Sequence, residues 1–397
     1  MTSLRTILGI MYAETLQLLR NRTQAVIFLL IPFLIFLIIA GVYWDQIILR
    51  IPTVILDQNH SSLSRDMVEA IQANENLEIR CYAENYEQVN QLLKAEEARV
   101  AVIIPEDFDR AMSRGEPTRI LTIIDGSNMI FCNVATGAMG EVVTDLSVML
   151  RANLLLSHGL LTDQVKKVLQ GVQFAFSSRY NPTFNYAYFL VLGLGLYILQ
   201  QTYLLGMVTA ISREREQKTW QQFQFLPAAR WQIYVGKLLP YLIIGTLQAA
   251  LICILGARAF GMPLHGQLWL VLVSTVVFLI AVSGFGMLVS AIFSRVNSIR
   301  LAMVMAMPSF ILSGFTWPLQ AMHPIGRVIG ECLPLTWYLQ AFQSITMKGA
   351  GWDVISSYII ILLLMAVICF SLSLVFVDKR QRPNSVYYRL YALFHPY

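Results

Sequence analysis

The sequence has few charged residues and none of the short motifs that mark a hydrolase or a nucleotide-binding site. Only 13% of its 397 residues are charged, whereas 56% are hydrophobic. No G-x-x-x-x-G-K-[ST] phosphate loop, no HExxH and no GxSxG occurs. The five cysteines form no CxxC pair, so a metal site has no support. The composition therefore predicts a multi-pass membrane protein with no cofactor, no metal and no nucleic-acid partner.

Long uncharged runs predict six membrane-spanning helices, because a bilayer core about 30 Å thick takes roughly 20 apolar helical residues. The predicted spans are residues 24–44, 180–212, 238–257, 268–293, 301–315 and 354–377. Residues 316–351 are interrupted by Pro318, Pro324 and Pro334, which leaves apolar pieces too short to cross singly. They are predicted to form a re-entrant segment near the outer surface.

Two segments outside the spans have distinct compositions. Residues 1–23 place apolar side chains on roughly one helical face among three arginines, which predicts an amphipathic helix lying along the membrane. Residues 45–179 carry 12 Lys/Arg and 18 Asp/Glu and alternate β-rich runs with helical stretches, which predicts an inserted α/β domain. Its Cys81 and Cys132 could form a disulfide in an oxidising compartment; the sequence leaves open whether they meet.

The distribution of positive charge predicts the orientation. Residues 1–23, 213–237, 295–300 and the tail 378–397 hold 14 Lys/Arg and 4 Asp/Glu, whereas the rest of the chain holds 15 and 20. Because positive loops stay in the cytoplasm, both termini and residues 213–237 are predicted to be cytoplasmic. The 45–179 domain is then extracytoplasmic.

Residues 213–237 are the longest charged insert between two apolar runs. The segment is either a solvated loop or a docking helix. Its aromatic side chains, among them Trp220, Phe223 and Trp231, carry more apolar area than a loop left in water would. The composition therefore favours a helix that lies on the membrane or fits a groove in a partner.

Polar side chains inside or near the spans have two interpretations. Gln200, Gln201 and Gln248 can hydrogen-bond between helices, or they can line a substrate route. Glu331, in the proline-broken segment, is either a hydrated surface group or part of a gate.

Several short motifs, in this order and spacing, resemble the permease subunits of type 2 ABC exporters. They are the YNP turn (Tyr180 to Pro182), REREQ-T (Arg213 to Gln217, Thr219), Pro227, WQIYVGK (Trp231 to Lys237) and SGFTWP (Ser313 to Pro318). The resemblance covers nearly the whole chain and is greatest to a bacterial inner-membrane subfamily with an extended periplasmic domain.

The resemblance implies a non-catalytic membrane subunit that moves a drug, lipid-linked or envelope molecule outward. ATP and Mg would be bound by a separate ABC ATPase subunit, and the permease would pair with itself or with a sister permease. A periplasmic adaptor is a further implied partner. The residues implied in ATPase coupling are Arg213, Glu214, Arg215, Glu216, Thr219, Trp220, Phe223, Pro227 and Trp231. On this interpretation, Glu214→Arg or Trp220→Ala uncouples transport while the membrane part stays folded.

Two other classes remain open from the residues alone. A secondary transporter or channel would need charged residues at mid-membrane and internal repeats, and neither is evident in the sequence. A membrane-anchored envelope sensor or assembly factor would use the 45–179 domain as its working part.

Overall fold

The computed structural model describes residues 2–44, 48–114, 116, 118–157, 161, 186–216, 228–261, 264–293 and 295–381. The chain divides into two compact units, one inserted in the sequence of the other. The membrane unit comprises Met1–Gln46 and Ser178–Tyr397, and the inserted unit comprises Ile47–Ser177. The predicted turn at Tyr180 to Pro182 lies outside the described residues.

The membrane unit begins with two helices that meet at Asn21. Helix α1 is Thr2–Arg20, and helix α2 is Arg22–Val42. The Asn21 side chain accepts a hydrogen bond of 3.2 Å from the Gln24 amide, as expected of a residue that caps a helix start. The helix break therefore separates the charged N-terminal helix from the first long apolar helix.

The inserted unit is built around a four-stranded mixed sheet. Its elements are β1 (Ile51–Asp57), α3 (Ser62–Ala73), β2 (Leu77–Tyr82), α4 (Tyr86–Lys94), β3 (Val100–Ile104), α5 (Phe108–Ser113), β4 (Leu121–Ile124) and α6 (Met129–Ser157). The strand order is β2-β1-β3-β4. Strand β1 pairs in parallel with β2 and β3, and β3 pairs antiparallel with β4. This is the mixed α/β arrangement that the alternating sequence pattern predicts.

The sheet buries both of its faces, which explains the continuous apolar run of β3. Val100, Val102 and Ile104 pack into one core with α3, α5 and α6. Ala101 and Ile103 point the other way, into a core with α4. A strand covered on both faces has no polar alternation.

The turn after β4 is held by the carboxylate of Asp125. It accepts a hydrogen bond of 2.9 Å from the Ser127 amide and pairs with the Arg99 guanidinium. The pKa of Asp125 is lowered to about 2, most strongly by the hydrogen bond from the Ser127 amide and next by that from Arg99. An aspartate in the unfolded chain has a pKa of about 3.9. The lowered pKa of Asp125 therefore stabilises the folded unit above that pH, and this stabilisation is lost as the pH falls through about 2.

Cys81 and Cys132, whose pairing the sequence leaves open, are both free thiols in this structure. Cys81 lies on β2 and packs into the core that contains α4. Cys132 lies on α6, whose neighbouring residues pack into the core on the opposite face of the sheet. The sheet therefore separates the two side chains. Burial, and to a smaller extent the negative charge of Glu97, raises the pKa of Cys81. The raised pKa disfavours the reactive thiolate form.

Within the described residues, the membrane unit continues with eight α-helices after the inserted unit. They are α7 (Tyr186–Glu216), α8 (Arg230–Phe260), α9 (Leu268–Ile292), α10 (Arg295–Ala306), α11 (Ser309–Leu312), α12 (Pro324–Glu331), α13 (Pro334–Thr346) and α14 (Trp352–Gln381). Within the described residues, α2, α7, α8, α9 and α14 are the five helices long and apolar enough to cross a membrane.

The predicted fifth span, residues 301–315, is not one continuous helix. Helix α10 ends at Ala306, and the four-residue helix α11 begins after Pro308. Proline lacks the amide proton that would continue the helical ladder, which accounts for the break. In the same way, the 316–351 segment is divided into helices α12 and α13, each of which begins with a proline. Its predicted re-entrant path stays a prediction.

Candidate functional site

Two carboxylates and two cations are buried together where helices α1, α7 and α8 meet. Glu14 comes from α1, Arg213 and Glu214 from the last turn of α7, and Lys237 from α8. The Lys237 Nζ atom lies 2.8 Å from Glu14 Oε2 and 2.9 Å from Glu214 Oε1. Arg213 Nη2 lies 3.2 Å from Glu14 Oε1. These four residues are called the charge cluster below, and Glu14 is its bridge between α7 and α8.

Two uncharged side chains bond to members of the charge cluster. The Tyr241 hydroxyl donates a hydrogen bond of 3.1 Å to Glu14 Oε1. Gln24, at the start of α2, accepts a bond of 2.7 Å from Arg213 Nη1. Helices α1, α2, α7 and α8 thus all contribute polar groups to one buried site.

The stability of the charge cluster depends on its equal numbers of positive and negative charges. The exposed fractions are 2% for Glu14, 4% for Arg213, 5% for Glu214 and 2% for Lys237, so water screens these charges little. Two negative and two positive groups leave the formal charge at zero. Removing one member of a buried pair typically costs about 3–5 kcal/mol, because the remaining charge is left uncompensated. The cluster therefore ties α1 firmly to the ends of α7 and α8.

A glycine allows α1 to approach α8 closely enough for these contacts. A Cβ atom added at Gly236 would lie 2.8 Å from Ile10 Cβ and 3.1 Å from the Ile7 carbonyl oxygen, both on α1. The first distance is shorter than real Cβ contacts allow, and the neighbouring atoms are held by the α1 backbone. Gly236 immediately precedes Lys237, so the close approach and the ion pairs occur at the same level of α8.

The structure separates the predicted coupling residues into four groups. Arg213 and Glu214 are buried in the charge cluster, and Trp231 is 52% exposed at the start of α8. Helix α7 includes Arg215 and Glu216 as its last two residues. The remaining predicted residues lie outside the described part of the chain; they are Thr219, Trp220, Phe223 and Pro227.

Glu14 is not among the site residues predicted from the sequence, although a signal for it is present. The buried residues of α1 include Ile7, Ile10, Glu14 and Leu18, which recur at helical spacing. A carboxylate on the apolar stripe of an amphipathic helix needs a buried cationic partner. Reading the stripe residue by residue therefore identifies Glu14, but not the helices that supply its partners.

Gln248 joins helix α8 to helix α2 through a side-chain hydrogen bond. Its Nε2 atom donates a hydrogen bond of 2.7 Å to the Phe28 carbonyl oxygen and lies 3.5 Å from that of Leu29. Both carbonyls belong to a π-helical turn of α2, Val26–Leu30. Pro32, which has no amide proton, follows four residues after Phe28. The Gln248 amide thus supplies the donor that the proline removes inside an apolar helix.

Gln201 and Glu331 make local contacts, whereas Gln200 bonds to a residue on another helix. Gln201 Nε2 lies 2.8 Å from the Tyr197 hydroxyl, one turn away on α7. Glu331 Oε1 lies 2.8 Å from Arg327 Nε on the surface of α12, which favours the hydrated interpretation of this carboxylate. Gln200 Nε2 reaches Ser309 Oγ at 3.1 Å, so it joins α7 to α11 across the break in the fifth predicted span.

Among the described residues, no three His, Cys, Asp or Glu side chains are grouped closely enough to hold a metal ion. The carboxylates of the charge cluster are paired with the side chains of Arg213 and Lys237. Its geometry suits holding helices together.

Long apolar helices joined by a buried ionic site define the chain as a multi-pass membrane protein. The sequence model of a protein family, described as "ABC-2 family transporter protein", matches residues 22–375 of this chain. The chain belongs to this family, which confirms the resemblance inferred from its motifs.

Curated relatives agree with this assignment. The chain is 25% identical over 270 residues to the probable multidrug ABC transporter permease YbhR of Escherichia coli, covering 68% of this chain and 70% of the relative. It is 26% identical over 353 residues to the probable multidrug ABC transporter permease YbhS of the same organism, covering 87% and 90%. The linearmycin resistance permease protein LnrN of Bacillus subtilis is 24% identical over 172 residues, covering 43% and 44%.

Proposed function

We propose that this chain is the non-catalytic permease subunit of an ATP-driven exporter in a bacterial inner membrane. The observation that carries the proposal is the family match over residues 22–375. The names of YbhR and YbhS support a multidrug or similarly apolar cargo. The cargo would leave between two copies of the permease, or between this chain and a sister permease.

The proposed topology follows the charge distribution. Helix α1, residues 213–237 and the C-terminal tail are cytoplasmic, and the inserted unit is periplasmic, where an adaptor protein could bind it. Helices α10 and α11 together form the fifth of six spans. Its membrane part follows the basic residues 295–300, which the charge distribution places in the cytoplasm, and corresponds to the predicted span 301–315.

In the proposed mechanism, a separate ATPase subunit binds ATP and Mg and pushes on residues 213–237. The charge cluster lies at both ends of this segment, since Arg213 and Glu214 begin it on α7 and Lys237 ends it on α8. Glu14 bridges the two ends. A displacement of the segment would therefore move α7, α8 and α1 together as one body.

The proposal is tested by purifying the full-length chain under mild conditions from its native membrane. We expect an ATP-hydrolysing subunit to co-purify in a fixed ratio and the chain stripped of that subunit to hydrolyse no ATP. Hydrolysis by the stripped chain would overturn the non-catalytic role. Substrate transport that needs no such subunit would instead indicate a secondary transporter.

A further inference from the structure

Helix α1 carries two apolar stripes, of which one is buried and the other is exposed. The buried stripe includes Glu14, the bridge of the charge cluster. The other stripe recurs at intervals of three or four residues and is exposed within the described structure. Its members, called the exposed stripe below, have exposed fractions between 42% and 66%; they are Leu4, Leu8, Tyr12, Leu16 and Leu19.

The exposed stripe lies on a different side of α1 from the charge cluster. Successive residues of a helix are about 100° apart, so the stripe is about 120° wide and its centre is roughly 135° from that of the buried stripe. Packing of α1 against α8 through the buried stripe therefore leaves the exposed one uncovered. A stripe of this width is typical of a helix face that packs against an apolar environment.

Arginines border the exposed stripe at both ends. Arg5 follows Leu4, Arg20 follows Leu19, and both arginines are exposed, as is Arg22 at the start of α2. The exposed residues of α1 from Leu4 to Arg20 include no Asp or Glu. An apolar stripe with a purely basic border complements a membrane surface that contains anionic phospholipids.

The surroundings of the exposed stripe favour lipid over a soluble protein as its cover. Asn21 alone separates α1 from α2, a membrane-spanning helix that itself exposes Val26 and Leu30. Exposed apolar side chains thus continue from α1 into a helix that lipid surrounds. Among the exposed residues from Leu4 to Leu19, only Arg5 and Tyr12 have side chains that form hydrogen bonds, whereas protein interfaces carry about one hydrogen bond per 100–200 Å².

We propose that the exposed stripe of α1 inserts into the cytoplasmic leaflet and that Arg5, Arg20 and Arg22 bind the phosphate groups of anionic phospholipids. Zwitterionic lipids also cover the stripe but offer the arginines no net negative charge. The buried side of α1 stays attached to α8 through Glu14 and Lys237, so lipid and protein hold the helix from two sides. The inference rests on the cytoplasmic position of α1 in the proposed function and adds the class of lipid that it binds.

The test uses the full-length protein in phosphatidylcholine nanodiscs without an ATPase subunit and two photoreactive phospholipids in trace amounts. One probe is a phosphatidylglycerol and the other a phosphatidylcholine, and both carry a diazirine at the same acyl carbon near the glycerol. We expect both probes to label peptides of α1. The anionic probe should label them at least about fivefold more, the factor expected for one arginine near an anionic surface.

Variants separate the contribution of the arginines from that of the apolar side chains. Arg5→Gln combined with Arg20→Gln should remove most of the preference for the anionic probe and retain labelling by both probes. Leu8→Gln combined with Leu16→Gln should lower labelling by both. Arg65→Gln is the control, since Arg65 is an exposed arginine of the inserted unit, and it should change neither result.

Three outcomes would overturn the proposal. The first is equal labelling of α1 by the two probes in the unmodified protein. The second is no labelling of α1 in protein whose helix α2 is labelled. The third is labelling that is lost when a co-purified ATPase subunit is present, which would assign the exposed stripe to that subunit. The first two are measured without an ATPase, so they are distinct from a failure of the proposed function to yield a co-purifying subunit.

Discussion

Replacing Glu14 with glutamine is expected to destabilise the membrane unit by about 3 kcal/mol, because it leaves Arg213 and Lys237 facing one buried carboxylate. Glutamine keeps the size of the side chain, so the loss reports the charge. Unfolding in lipid nanodiscs, followed by heat or denaturant, measures it. Glu331→Gln is the matched control, since its pair with Arg327 is exposed and should cost less than about 1 kcal/mol.

The double variant Glu14→Gln, Lys237→Gln separates charge balance from packing. It removes one charge of each sign, so the cluster stays neutral, and most of the lost stability should return. Additive losses from the two single variants would show that the residues do not interact. A Glu14→Gln variant as stable as the unmodified protein would contradict the buried ionic site.

Replacing Gly236 with valine is expected to displace helix α1 from α8. The added side chain begins 2.8 Å from Ile10 Cβ, and overpacking of this kind typically costs about 1–3 kcal/mol. The shift also separates Glu14 from Lys237, so the total loss should lie at the upper end of that range, near the cost of Glu14→Gln. Protease accessibility of the N-terminal helix, measured together with thermal unfolding, follows the displacement.

Gly9→Ala is the control for this substitution. Gly9 lies on α1 with nothing within 4 Å of an added Cβ, and alanine has the higher helix propensity. This variant should be at least as stable as the unmodified protein. If Gly236→Val leaves α1 equally protected, the close contact between the two helices is wrong.

Much of the membrane unit follows from local sequence. Long uncharged runs identify five helices that the structure contains as α2, α7, α8, α9 and α14, because bilayer thickness sets their length directly. The interruption of the fifth span is harder to predict from the sequence. Its composition is apolar throughout, and Pro308 alone marks the break between α10 and α11.

The contacts of polar residues could not be predicted, because they join positions far apart in the chain. Glu14 and Lys237 are 223 residues apart, and no local pattern relates them. From the sequence alone, Glu214→Arg is predicted to uncouple transport while the protein stays folded. With Glu214 buried against Lys237, we expect that variant to lose stability as well, so Trp220→Ala is the cleaner test of coupling.

The central claim is that residues 213–237 contact an ATPase subunit on the cytoplasmic side. A photo-crosslinking amino acid at position 220, activated in native membranes, tests this most directly. The account predicts one major adduct, with an ATP-hydrolysing subunit, and no such adduct from the exposed position Ile325 on α12. Adducts with that subunit from position 325 but not from position 220 would contradict the account.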